Sequence, residues 1–133
     1  MSRLGAERLA ALKGELAAGR TLRLMVVTGS MLPLLPIGES IEVAPVVRPL
    51  RPFDIVVFLS GERLICHYVV HSNRLQPAGA VVVTRGLSNP FEDLPVERRD
   101  VLGRVVSHRI PRRTRFLLIA ARLLRRIRFR GET

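Results

Sequence analysis

The sequence predicts a mainly β domain, with a short helix before it and a basic amphipathic helix after it. At 133 residues, the chain has the length of one domain that can bury a core without disulfides or metal. Hydrophobic residues make up 47% of it and aromatic residues only 5%, so Val, Leu and Ile must build that core, which favours strands. Apolar runs of strand length, separated by Gly and Pro turns, fill the middle of the chain, whereas both ends follow the helical period.

The N-terminal segment, residues 1–20, predicts a short amphipathic helix that ends at Gly19. Its apolar residues are spaced as on one helix face, at Leu9, Leu12 and Leu16. The β domain is then expected to fill residues 21–110.

Six strands are expected in this domain. The first stops at a Thr-Gly-Ser turn, and the second alternates strictly before Pro45. The third is a continuous apolar run and should be central, and the fourth returns as its hairpin partner after a Ser-Gly-Glu reversal. The fifth follows a break at Pro77 and Gly79, and the sixth precedes Pro111. In chain order they are Leu22–Val27, Ser40–Val43, Ile55–Leu59, Leu64–Val70, Ala80–Thr84 and Val101–His108.

Side-chain alternation along the fourth strand separates its candidate functional residues. His67 and His71 should share one face with Ile65 and Val69, and Cys66 should point to the other face. The two histidines would be about 13 Å apart. We therefore expect neither a His–His nor a Cys–His metal site, and no cofactor.

The C-terminal segment, residues 111–133, predicts an Arg-rich amphipathic helix. Apolar residues fill one half of its helical projection, and Arg115, Arg122, Arg125 and Arg126 fill much of the other. One interpretation is a helix that docks on the β domain with its arginines in water. The other is a helix in the plane of a membrane, whose arginines meet anionic headgroups and contribute about 1 kcal/mol each.

The charge of the chain indicates an anionic partner. Its net charge of +11 comes from 21 Arg and a single Lys, set against 11 acids. No aromatic residues are interleaved with the arginines to stack bases, so nucleic acid is a less suitable partner than lipid or protein. The sequence contains no apolar segment of about 18 residues and no signal-peptide pattern, which predicts a location in the cytoplasm or at the inner face of a membrane.

Ser30 is the candidate nucleophile because it follows an apolar strand at a flexible turn. A serine needs a general base and an oxyanion donor to act in this way. Lys13 lies in the N-terminal helix, so the base must be His67, His71 or His108, and His67 is the best placed because it lies within the central hairpin.

Five stretches resemble, in order, the motif boxes of type I signal peptidases, and together they cover residues 24–106. They are Thr28–Pro33, Gly38–Val43, Asp54–Phe58, Cys66–Val70, and Thr84–Gly86 continuing through Asp93–Val96 to Val101–Val105. The superfamily includes LexA-like self-cleaving repressors. Its bacterial signal peptidases and the repressors use a Lys base, and its endoplasmic-reticulum and archaeal members carry His at that position, as this sequence does.

The resemblance implies a role for each matching residue. Ser30 would be the nucleophile, His67 the general base and Asp93 the supporting acid. Thr28 would help the Ser30 N–H hold the oxyanion, and Met31 would contact substrate. The family fold is a coiled, partly open β barrel, and its peptide substrate binds as an added strand with small side chains at the scissile bond.

The sequence departs from the family pattern at three positions. Leu87 stands where the family has an acid directly after the loop glycine, Glu39 replaces an Asp, and Phe53 replaces a Gly. The family's transmembrane anchor has no counterpart here, and the C-terminal helix is a candidate peripheral substitute.

Three functions remain open at this point. The first is a serine endopeptidase that removes a leader or pro-segment. The second is a LexA-like self-processing switch, although only 29 residues precede Ser30. The third is a non-catalytic binding module at an anionic membrane surface.

Overall fold

The protein is mainly β, with one helix at each end of a seven-stranded antiparallel sheet. The structure is a computed structural model that describes residues 5–72 and 80–131, with side chains as far as Arg126. The predicted break at Pro77 and Gly79 lies outside the described residues. The strands are β1 (Leu22–Met25), β2 (Ser40–Ala44), β3 (Ile55–Ser60), β4 (Arg63–Ser72), β5 (Val81–Arg85), β6 (Val96–Glu97) and β7 (Val101–Val105), and the helices are α1 (Ala6–Ala17) and α2 (Arg112–Gly131).

The sheet is centred on β3, as predicted. Its order is β1-β2-β7-β3-β4-β5-β6. Strand β3 forms a hairpin with β4, in a register that runs from Ile55 opposite Tyr68 to Ser60 opposite Arg63. Gly61 has a φ of 61° in the two-residue turn between them, a conformation that glycine adopts without strain.

The core consists of two clusters on opposite faces of the β3–β4 hairpin. One contains Val57, Cys66 and Tyr68, together with Leu35 and Ile110. The other contains Leu50, Val56, Phe58, Val69, Val82 and Val101. His67 pairs with Val56 in the register and therefore shares the face of the second cluster, whereas Cys66 lies on the opposite face, as predicted.

Strand pairing corrects three details of the sequence prediction. The first strand ends at Met25 and the last at Val105, both earlier than expected. The two-residue strand β6 was not predicted. The register between β4 and β5 shifts after Val69, so that His71 pairs with Val83 while Val69 pairs with Thr84. This bulge reverses the alternation, so the prediction that His71 shares a face with His67 is wrong.

Helix α2 contacts the domain with part of its arginine face, which neither interpretation of the sequence anticipated. Arg115 Nε donates to the carbonyl oxygen of Ile110 at 2.8 Å, and its guanidinium lies 5.5 Å from the centre of the Phe53 ring. Arg122 pairs with Glu92 at 3.6 Å. Arg125 donates to the carbonyl oxygen of Pro90 at 2.8 Å, so three of the four arginines expected at a membrane are engaged with the domain.

In the part of the chain that the structure describes, no helix is both long and apolar enough to cross a bilayer.

Candidate active site

Ser30 lies in a turn that is anchored to the core on its C-terminal side. The turn begins after Val26, whose N–H donates to the carbonyl of Glu39 at 2.9 Å. Met31, the residue after the serine, is only 2% exposed and packs in the first core cluster. In this arrangement Met31 fixes the position of the turn and presents no surface to a substrate, unlike its expected role.

The hydroxyls of Thr28 and Ser30 are neighbours, with their oxygens 3.3 Å apart. Thr28 is exposed and Ser30 is half-buried, so solvent reaches the turn that carries both. Within the described residues, the Ser30 hydroxyl makes no hydrogen bond with His67. Such a bond commonly tightens only when a substrate is bound.

His67 is held in the middle of β4 and is 6% exposed. Its ring packs edge-on against Phe58, with the ring centres 6.1 Å apart. Its Nδ1 lies 2.5 Å from Asp93 Oδ2. A carboxylate can only accept a hydrogen bond, so Nδ1 carries a proton, and whenever the ring is neutral its lone pair is on Nε2.

Asp93 is fixed by Thr84, which is fully buried at the end of β5. Thr84 Oγ1 donates to Asp93 Oδ2 at 2.8 Å, and the Asp93 N–H donates to the carbonyl of Thr84, also at 2.8 Å. One carboxylate oxygen therefore accepts from both His67 and Thr84. This arrangement orients the carboxylate and, through it, the imidazole.

Gly86 is the point at which the serine turn meets the histidine. A methyl group placed on its Cα would lie 2.7 Å from the Ser30 carbonyl oxygen, 2.8 Å from Asn89 Nδ2 and 3.0 Å from His67 Nε2. Such distances leave no room for a side chain. The Ser30 carbonyl oxygen and His67 Nε2 thus both lie next to a position that only glycine fits.

The loop between Gly86 and Asp93 clamps the serine turn through Ser88. The Ser88 N–H donates to the carbonyl of Ser30 at 3.1 Å, and its hydroxyl donates to the carbonyl of Gly29 at 2.9 Å. The same loop is closed by hydrogen bonds from Asn89 N–H to Gly86 and from Arg85 Nε to the Asn89 carbonyl. It therefore carries Asp93 and holds the turn that contains Ser30.

The departures from the family pattern have structural explanations. Leu87 packs against the first core cluster, so the acid beside His67 is Asp93. Glu39 Oε1 lies 3.3 Å from His108 Nε2 and is therefore engaged with that histidine. Phe53 adopts a φ of 72°, the backbone conformation that a glycine would take without strain.

Cys66 is chemically quiet. It is buried on the opposite face of β4 from His67, and burial raises the pKa of its thiol to about 12. A thiol that stays protonated at neutral pH is a poor nucleophile. Across residues 5–72 and 80–131, no three His, Cys, Asp or Glu side chains lie close enough together to hold a metal ion.

The structure brings together Thr28, Ser30, His67 and Asp93. The other two candidate bases, His71 and His108, lie elsewhere. His71 is exposed on the opposite face, and His108 accompanies Ser107 and Glu39. Sequence reasoning missed Thr84, Gly86 and Ser88. A polar residue that ends a run of three valines, as Thr84 does, was the available signal.

Comparison of the chain with protein-family models, with curated proteins and with solved structures found no match.

Proposed function

We propose that this protein is a serine endopeptidase that removes a leader, signal or pro-segment from a peptide or protein substrate. Ser30 is the nucleophile, His67 the general base and Asp93 its supporting carboxylate. The observation that carries the proposal is the 2.5 Å contact between His67 Nδ1 and Asp93, because it leaves the Nε2 lone pair on the side of Gly86 and the serine turn.

The proposed reaction begins when His67 Nε2 takes the proton of the Ser30 hydroxyl. Ser30 Oγ then bonds to the carbonyl carbon of the scissile peptide, and the carbonyl oxygen becomes an oxyanion. Thr28 Oγ1–H and the Ser30 N–H are the proposed donors to that oxyanion. The C–N bond breaks as His67 returns its proton to the leaving amine, and water releases the acyl group from Ser30 by the same route.

The geometry supports this division of roles. The Asp93 carboxylate stabilises the imidazolium that forms during the reaction, and Thr84 holds the carboxylate in place. The contact of Thr28 Oγ1 with Ser30 Oγ places a second hydroxyl beside the atom that would attack. A type I signal peptidase-like enzyme of the His branch, as the sequence resemblance implies, is the form of peptidase that we propose.

The proposed place of action is the cytoplasm or the inner face of the membrane. The anionic lipids of that leaflet would attract a chain with a net charge of +11.

A non-catalytic binding module is the second candidate. It is favoured by one observation, the hydrogen bond of the Ser30 hydroxyl with Thr28 instead of His67. In that case the serine turn and its clamp would be structural, and no reagent would acylate or phosphonylate Ser30.

Labelling with a fluorophosphonate probe separates the two functions. We expect the wild type to be labelled at Ser30 and labelling to be lost in Ser30→Ala and His67→Ala. Ser60→Ala and His71→Ala are matched controls, because each removes the same group from an exposed position outside the proposed triad. A wild type that is folded by circular dichroism but stays unlabelled would favour the binding module.

Cleavage requires a second readout. A peptide library digested with wild type and with Ser30→Ala, and analysed by mass spectrometry, should yield wild-type-specific products with small side chains before the cut. A probe-reactive protein that cleaves nothing in such a library, including its own chain, would contradict the endopeptidase.

A further inference from the structure

Helix α2 presents its apolar half to solvent. Phe116, Leu117, Leu123 and Leu124 are between 53% and 71% exposed. Their spacing of one and seven residues places them on one side of the helix. A contiguous apolar surface of this kind on a small domain indicates an interaction site.

The opposite side of α2 is already occupied. Arg115, Arg122 and Arg125 contact Ile110, Glu92 and Pro90 respectively. Leu118 packs against the first core cluster. The helix is therefore fixed to the domain by its polar side, so that covering the apolar side requires something outside the described fold.

The charges around the apolar face indicate what that occupant is. The helix contains no acidic residue, and its exposed arginines include Arg112, Arg113 and Arg126. In the helical projection Arg112 and Arg126 lie beyond one edge of the apolar half, and Arg113 lies within the apolar half at its N-terminal end, in the first turn. An apolar stripe bordered by arginine and free of acid is typical of a helix that lies in the interface of an anionic bilayer.

We propose that α2 lies in the plane of an anionic lipid bilayer, with Phe116, Leu117, Leu123 and Leu124 among the acyl chains. The exposed Arg112, Arg113 and Arg126 contact the headgroups, whereas Arg115, Arg122 and Arg125 hold the helix to the domain. This assignment differs from the sequence-based one, which gave the membrane contact to those three arginines and Arg126.

The membrane surface is connected to the candidate catalytic loop. Arg122 and Arg125 contact Glu92 and Pro90, which lie in the loop that carries Gly86 and Asp93. Phe91, in the same loop, lines an open groove with Ile119 of α2. This step rests on the proposed peptidase function. A docked α2 keeps the proposed active site at the lipid surface, so the substrate class would be peptides that are anchored to lipid or emerge from the membrane.

Vesicle flotation tests the proposal on the full chain. We expect binding to vesicles of phosphatidylglycerol and phosphatidylcholine, with weaker binding to phosphatidylcholine alone and a decrease in binding at high salt. Leu117→Asp and Leu124→Asp should each weaken binding about tenfold or more, because each removes a leucine from the acyl region. Val47→Asp is the matched control, since it puts one carboxylate at an exposed apolar position outside α2, and it should bind nearly as the wild type does.

Three outcomes would overturn the proposal. The wild type could fail to float, Leu117→Asp could bind as well as Val47→Asp, or sedimentation could show a dimer that Leu124→Asp dissociates while no lipid is bound. The last result would assign the face to a second copy of the chain. Ser30→Ala should float like the wild type, because flotation does not depend on the proposed nucleophile. A failed labelling experiment would therefore contradict the peptidase and not the membrane surface. A failed flotation would contradict the membrane surface and not the peptidase.

Discussion

Thr84 and Asp93 are joined twice, by a side-chain hydrogen bond and by a backbone hydrogen bond, each 2.8 Å long. Only the first is lost in Thr84→Val, and the buried site keeps its shape. We expect a loss of about 1 kcal/mol in the free energy of unfolding. The probe-labelling rate should fall by about fivefold to tenfold, because Asp93 would orient His67 less well.

The rate and the stability of Thr84→Val can be measured by labelling kinetics and by urea unfolding. Thr21→Val, at an exposed position, should change neither. A Thr84→Val variant that reacts as fast as the wild type would show that the Thr84 hydroxyl has no part in the site.

Gly86→Ala should separate Ser30 from His67. The new methyl group would lie within 3.0 Å of both residues, so the loop must move. A displacement of about 1 Å is enough to cost about 100-fold in rate. The control is Gly14→Ala in α1, where nothing lies within 4 Å of the new methyl group; it should keep full activity and gain about 0.5–1 kcal/mol of stability. Equal labelling rates in the two variants would contradict the close approach at Gly86.

The alkylation rate of a cysteine introduced at position 30 should show whether His67 activates it, because the native thiol of Cys66 is not expected to react. Burial raises the pKa of Cys66 to about 12, so at pH 8 it should resist iodoacetamide in the folded protein. Ser30→Cys should then take up one equivalent, and at pH 6 its alkylation should be about tenfold faster than in Ser30→Cys/His67→Ala. Intact-mass spectrometry gives both rates.

Ser60→Cys is the control for this comparison, since its exposed thiol should be indifferent to His67. If His67→Ala slowed neither thiol, His67 would not be the base. Uptake of reagent by the wild type would contradict the burial of Cys66.

At position 53 a glycine should give a more stable protein than an alanine, which is the reverse of the usual order. Phe53 has a φ of 72°, which strains any residue that has a Cβ, and its ring contacts Tyr68 and Arg115. Both Phe53→Ala and Phe53→Gly lose the ring contacts, but only the glycine relieves the strain. We therefore expect Phe53→Gly to be about 1 kcal/mol more stable than Phe53→Ala.

The same pair of substitutions at Lys13, an exposed position in α1, should show the usual order, with alanine about 1 kcal/mol more stable than glycine. Unfolding in urea measures all four variants. Alanine being the more stable residue at both positions would rule out strain at Phe53.

The Arg48–Asp54 ion pair should make stability depend on pH. Burial opposes the ionisation of Asp54, but hydrogen bonds from Arg48 and from the Arg51 N–H outweigh it and hold the pKa of the carboxyl below its ordinary value. The contribution is therefore complete above the ordinary Asp pKa of about 4 and disappears as the pH falls through the lower, folded value.

Asp54→Asn should cost about 2 kcal/mol at pH 7, and the difference from the wild type should shrink below about pH 4. Urea unfolding between pH 7 and pH 2.5 gives the difference. Glu42→Gln, which removes one partner of an exposed pair with Arg23, should change stability by less than about 0.5 kcal/mol at any pH. A constant cost for Asp54→Asn across this range would mean that the charge of Asp54 is not involved.

Much of the fold follows from local sequence patterns. The β3–β4 hairpin was predictable because a continuous apolar run and a tight Gly-Glu turn determine both its centre and its register. Strand β6 was not predictable, since two residues have no measurable periodicity. The bulge near Val70 depends on how β5 pairs with β4, and that pairing is not encoded in β4 itself.

The candidate site was predicted in part, for a related reason. Ser30 and His67 came from the strand-end turn and from the lack of another base, and the resemblance of motifs supported both and added Asp93. Thr84 was marked only as a polar residue after three valines. Periodicity also separates the two faces of α2 without determining which of them packs. That choice is made by contacts such as Arg115 with Phe53, which join residues far apart in the chain.

The clamp on the serine turn joins residues that are 59 positions apart, and His67 meets Asp93 across 26 positions. Pairings of such long range form only after the intervening strands have closed their loops. A nascent chain that has not yet been synthesised beyond Asp93 would therefore carry Ser30 without the fixed His67–Asp93 pair. We therefore expect reactivity with the fluorophosphonate probe to appear late in refolding. The time at which it appears would measure when these long-range contacts form.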